Sequence, residues 1–152
     1  MISNKNMQRN LVSVTSGELI DLNELNVNND KAGFAVSSDS NIIHAPCRGT
    51  IMEISQKADT FTLLSDDGLI VKILIGIEMH FKPMRIISYI TKNERVERGQ
   101  ILAIIEKEYI LPSNKKFITP VYVINTEKLK NYNIIENGRK IGGKSISLTY
   151  KI

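Results

Sequence analysis

The sequence predicts an all-β fold, an antiparallel β-sandwich or flattened barrel with at most one or two short helices, and three observations carry that expectation. Short apolar runs rich in Ile and Val recur throughout the 152 residues. Gly, Asn, Asp and Ser interrupt them about every eight to twelve residues, the rhythm of a sandwich or barrel. Sustained helical periodicity is scarce.

The elements follow in chain order. Residues 1–12 read as a disordered or frayed terminus, which leaves 13–152 as a single domain. Residues 51–54 and 61–64 are strands, and Asp66-Asp67-Gly68 supplies a tight hairpin turn into a third strand over 69–75. Residues 101–105 and 120–124 are further strands. A short helix is expected over 127–132, between Asn125 and the Asn137-Gly138 turn. At the end, Ile146, Leu148, Tyr150 and Ile152 alternate with Ser147, Thr149 and Lys151, which ties the terminus into a sheet. In "APCRGTI" from Ala45 and "ERVERGQILAIIE" from Glu94, glycine is expected to reverse the backbone at positive φ before an apolar strand.

Composition narrows the function classes. The hydrophobic fraction of 42% is ordinary, and no stretch approaches the roughly 18 apolar residues that a membrane-spanning helix needs. The segment from Leu11 to Gly17 is too short and mixed for a secretory signal, so the expected location is cytoplasmic, with no membrane insertion. The net charge of +4 comes entirely from residues 126–152, where six Lys or Arg face two Glu. Those cations lie apart without interleaved aromatics, the pattern of a solvated face and not of a nucleic-acid partner. The one cysteine, Cys47, cannot form an internal disulfide. With two histidines beside it, the chain carries no assembled metal-ligand pattern, and neither a metal nor a cofactor is expected.

Turn-plus-strand units of this kind also occur in biotinyl and lipoyl carrier domains. Those place a lysine flanked by methionines at a hairpin tip, whereas here Ile105 leads into Glu106-Lys107-Glu108-Tyr109. A different ordered set fits better: "SGELIDL" from Ser16, "APCRGTI", "SDDGLIVKILIGIE" from Ser65, "VERGQ" from Val96, "ITPVYVIN" from Ile118 and "IGG" from Ile141. Together these resemble the glucose-type IIA component of the phosphoenolpyruvate-dependent sugar phosphotransferase system, over nearly the whole chain from about Ser13. The resemblance implies a sandwich of the duplicated hybrid motif type. It also implies contacts with the histidine phosphocarrier protein and a sugar permease.

Members of that family carry a phosphoryl-accepting histidine before the strand that starts near Phe61, and a second, orienting histidine on the facing strand. Imidazole suits the task because its nitrogen is nucleophilic at neutral pH. Counting forward from Gly49-Thr50-Ile51, the acceptor position is Asp59; counting from Gly68, the second position is Leu74. A leucine cannot donate a hydrogen bond to a phosphoryl group, so the pair is absent and no catalytic residue is expected. His80, close to the old site, and His44 are the alternative acceptors; Cys47 is a further candidate.

The reading that follows is a IIA-like module unable to carry phosphate. It would work as a regulatory or binding domain through a shallow groove of Ser55, Lys57, Asp59, Phe61, Lys72, Leu74, Glu78 and His80. Its partner would be a sugar permease, the histidine phosphocarrier protein or a regulator. Ser55 and Lys72 stand where family members place aromatics, and Glu78 keeps the acid of a Gly-Ile-Asp motif. The segment from Asn26 to Lys31 is shorter and more polar than the family's docking segment, and Met84-Arg85-Ile86 replaces a glycine-containing turn. An ion pair between Asp59 and Lys72 is expected, and Asp59 is either a crude imitation of a phosphoryl group or the result of drift. Two alternatives stay open: an active phosphocarrier that uses His80 or His44, and an accessory piece of a permease complex.

Overall fold

The computed structural model describes residues 9–22, 32–76, 85–106, 117–135 and 138–152. Glu78, His80 and the segments 26–31 and 82–84 fall outside the described residues. Among those described, fourteen strands form and every pairing between them is antiparallel.

The chain opens with β1 (Arg9–Val12), β2 (Gly17–Ile20), β3 (Ala32–Ser38) and β4 (Ile42–His44). A meander follows: β5 (Gly49–Ile54), β6 (Thr60–Ser65) and β7 (Ile70–Leu74). Then come β8 (Ile86–Ser88), β9 (Arg95–Val96), β10 (Ile101–Ile105) and β11 (Phe117–Val123). The chain closes with β12 (Asn131–Ile134), β13 (Arg139–Lys140) and β14 (Ile146–Lys151). Eight strands make one sheet in the order β13-β2-β3-β11-β7-β6-β5-β9, and two three-stranded sheets, β1-β14-β12 and β4-β10-β8, complete the fold.

Alternation along the strands builds the core. Phe34 and Val36 of β3, Val121 and Val123 of β11, and Val71 and Ile73 of β7 point inward to join Ile43, Ile51, Phe61, Leu63, Leu102 and Leu148. On the opposite face of the same strands a second apolar cluster forms: Leu22, Ala35 and Tyr122, with Ile20, Leu74 and Ile118 packed against them. Strands covered on both faces read as continuous apolar runs, as "AGFAV" and "PVYV" do. Pro120 sits where β11 pairs with β3 alone, because the ladder to β7 covers only Val121 to Val123.

Three local expectations are corrected. Arg9–Val12, placed in the frayed terminus, is β1: it pairs with β14 and buries Leu11 completely. The helix expected over 127–132 is a 3-10 turn, Thr126–Lys128, with no side-chain cap bond and no buried residue, and Asn131–Ile134 instead pairs with β14. Three residues cannot recover the cost of nucleating a helix, whereas a ready ladder partner can order a strand. Gly49 is not needed for positive φ, although Gly99 is, with φ of 87°. A Cβ at Gly49 would stand 2.2 Å from the Leu64 carbonyl oxygen across the β5–β6 ladder, so glycine there permits close approach of two backbones.

Candidate functional site

The turn from β5 into β6 builds the edge of the site. Ser55 N–H donates to the Thr60 carbonyl at 3.0 Å, and Ala58 takes a φ of 60° to close the reversal. The Ser55 hydroxyl then uses all of its capacity locally. It accepts from Asp59 N–H at 3.1 Å and Thr60 N–H at 2.9 Å, and donates to Asp59 Oδ1 at 2.7 Å. A hydroxyl so engaged is a turn cap and not a free nucleophile.

The β6–β7 register brings the two key positions together. Thr60 pairs with Leu74, and the Asp59 carbonyl accepts from Ile75 N–H at 2.8 Å, so Asp59 and Leu74 lie at the same end of neighbouring strands. Lys72 and Leu74 alternate with buried Val71 and Ile73 and share the outer face. Leu74 packs there against the cluster of Leu22, Ala35 and Tyr122. The position opposite Asp59 is therefore part of an apolar surface, beside one anchored carboxylate.

Other expected groove members separate from this arrangement. Phe61 is fully buried, because its register partner is the inward-facing Ile73, so it supports the site from within the core. Lys57 is exposed at the tip of the turn. The expected Asp59–Lys72 ion pair is absent among the described residues. Lys72 pairs with Thr62, and three residue steps along the strand set that position about 10 Å from Asp59. Asp59 takes the Ser55 hydroxyl instead.

His44 lies in another sheet, on β4 paired with β10. Its Nδ1 is 2.9 Å from the Gly99 carbonyl oxygen; a carbonyl only accepts, so Nδ1 carries the proton and donates. The ring packs on the "IGG" turn, where a Cβ on Gly142 would meet His44 Cδ2 at 2.8 Å. The ring is thus held between two loops, with Nδ1 engaged. Cys47 is buried, and burial first, then the charges of Asp67 and Asp66, push its thiol pKa up to about 12 against the opposing pull of Arg98. A thiol held neutral in this way is a poor nucleophile. Among the described residues no three His, Cys, Asp or Glu side chains come together as a metal site. No described helix is long and apolar enough to cross a membrane.

Residue-by-residue reading missed the apolar neighbours of the site: Ile20, Leu22, Ala35, Ile118 and Tyr122. The signal was present in the unbroken apolar runs of β3 and β11, which require cover on both faces.

Comparison with known proteins places this geometry in context. Residues 9–129 match the family described as phosphoenolpyruvate-dependent sugar phosphotransferase system, EIIA 1. The chain is 28% identical over 144 residues to a glucose-specific EIIA component of Buchnera aphidicola subsp. Baizongia pistaciae, covering 90% of this chain and 84% of that protein. It is 29% identical over 126 residues to a glucose-specific EIICBA component of Staphylococcus saprophyticus, covering 78% of this chain but 18% of that protein. The solved structure of glucose permease IIA from Mycoplasma capricolum shares the fold, with a TM-score of 0.77 at 19% identity over 94% of this chain and 96% of that one.

Proposed function

The chain belongs to the EIIA 1 family of the phosphoenolpyruvate-dependent sugar phosphotransferase system, as a glucose-type IIA component of sugar transport, and we propose that it acts there by occupying a partner's surface without itself carrying phosphate. The observation behind this reading is the Thr60–Leu74 pairing beside Asp59, which sets a carboxylate and an alkyl side chain where the resemblance implies two imidazoles. Neither group offers the nucleophilic nitrogen that phosphoramidate chemistry requires.

What remains is suited to binding. Asp59, held by Ser55, fixes a negative charge at the rim, and Leu74, Ile20 and Ile118 offer partly exposed apolar area beside it. That combination fits a protein surface with an apolar centre and a cationic edge. A single carboxylate carries less charge than the −1.5 to −2 or so of a phosphorylated residue, so any imitation of the phosphorylated state is partial. The Staphylococcus relative is named an EIICBA component and is far longer than this chain. This favours permease components as the partner class, with the histidine phosphocarrier protein second.

Competition tests the reading. In a reconstituted system with phosphoenolpyruvate, the general phosphocarriers and an active glucose-type IIA, excess of this chain slows sugar phosphorylation, and Asp59→Arg relieves the inhibition. Support of sugar phosphorylation by this chain as the sole IIA component would overturn the proposal.

A further inference from the structure

At the far end of the β5–β6–β7 meander, about 20 Å from Asp59 by strand length, a cleft of about 750 Å³ opens between β1 and β14 on one side and the β6–β7 turn on the other. Buried Cys47 and Tyr150 form its floor, and Arg9, Arg48 and Arg98 stand around it. The backbone fixes its walls relative to one another. Ala45 N–H donates to the Gln100 carbonyl at 2.8 Å, Gly99 N–H to the Ala45 carbonyl at 2.9 Å, and Asp66 N–H to the Arg48 carbonyl at 3.2 Å.

The charges around the cleft are partly spent. Asp67 takes Arg9 at 3.1 Å and the Tyr150 hydroxyl at 2.5 Å, and Ser65 also donates to it. Burial would raise its carboxyl pKa, but these donors and the Arg9 charge outweigh burial and hold it below the usual range, so Asp67 stays a fixed anion. Asp66 is bridged by both terminal nitrogens of Arg95, at 2.7 and 3.2 Å. Two guanidiniums keep capacity in reserve. The nearest approaches of Arg48 to Asp66 and Glu97 are made by Nε, at 3.4 and 3.1 Å, and those pairs are exposed and correspondingly weak. Arg98 donates to the amide oxygen of Asn10 and pairs with no carboxylate among the described residues. The lining sets three guanidiniums, Arg9, Arg48 and Arg98, against three carboxylates, Asp66, Asp67 and Glu97, and Arg95 from outside the lining takes up Asp66.

We propose that this cleft binds a phosphomonoester, its phosphoryl oxygens taken by Arg98 and Arg48 and its carbon skeleton resting on the floor of Cys47 and Tyr150. A planar carboxylate satisfies one guanidinium in bidentate fashion, whereas the three terminal oxygens of a phosphoryl group can bridge two guanidiniums that approach from separate loops. The volume lies within the range of small-molecule sites. The cleft is independent of the Asp59 surface, so the two proposals stand or fall separately.

The test is an amide NMR titration of the full chain at fixed ionic strength with glucose 6-phosphate, inorganic phosphate and acetate. Saturable shifts at Arg48, Ser65 to Asp67 and Arg98 to Gln100 are expected, strongest with the sugar phosphate and unchanged in Asp59→Ala. Arg98→Ala should weaken binding at least about ten-fold; Arg98→Gln serves in its place if the alanine variant does not fold. Absence of saturable shifts by about 10 mM ligand, shifts centred on Asp59, undiminished binding by the folded Arg98 variant, or equal affinity for acetate or inorganic phosphate would overturn the proposal.

Discussion

Asp59 and Ser55 show how one side chain can hold another in place. Ser55 Oγ accepts two backbone N–H groups and donates to the Asp59 carboxylate, so a single hydroxyl closes the turn and aims the charge. Ser55→Ala should destabilise the fold by roughly 1 to 3 kcal/mol, since it leaves donors in the turn without their acceptor. Urea unfolding measures the loss, and an unchanged midpoint would show that water replaces the hydroxyl at no cost. Motif spacing singles out positions 59 and 74, and the β6–β7 register sets them at the same end of neighbouring strands. Phe61 was misassigned to the groove because position near the site was weighed without strand parity. Its partner Ile73 points into the core, and Phe61 does the same. The Asp59–Lys72 pair failed for a related reason: both residues belong to adjoining strands, but register sets Lys72 against Thr62.

At the level of elements, the meander β5–β6–β7 and the final strand were readable because their apolar periods and turn residues are local. β1 was not, because its burial depends on β14, some 140 residues further along the chain. The region 127–132 carries helix-compatible residues, and only the ladder with β14 decides for a strand over Asn131–Ile134. The "APCRGTI" glycine was identified correctly as special but for the wrong reason, since a crossing carbonyl and not a positive φ excludes larger residues at Gly49. Gly49→Ala should therefore destabilise by roughly 1 to 3 kcal/mol, the range for forcing extra atoms into a packed site. A thermal melt of the variant checks this; wild-type stability would mean that the β5–β6 ladder shifts freely.

For the whole molecule, the sandwich separates two ends with different chemistry. One presents Asp59 beside the apolar cluster of Leu74, and the other presents the arginine-lined cleft. His44 belongs to neither Asp59 nor Leu74, since its ring is committed to Gly99 and the Gly142-Gly143 turn. The fold class was legible because alternation and turn spacing recur along the entire chain. The cleft was not, because its walls come from β1, β14 and three loops that only tertiary structure assembles. The central claim is that the surface around Asp59 and Leu74 does not relay phosphate. Its most direct test is intact-mass analysis of the chain after incubation with phosphoenolpyruvate and the general phosphocarriers: an unchanged mass is expected, and a gain of one phosphoryl group that disappears in His80→Ala would contradict the account.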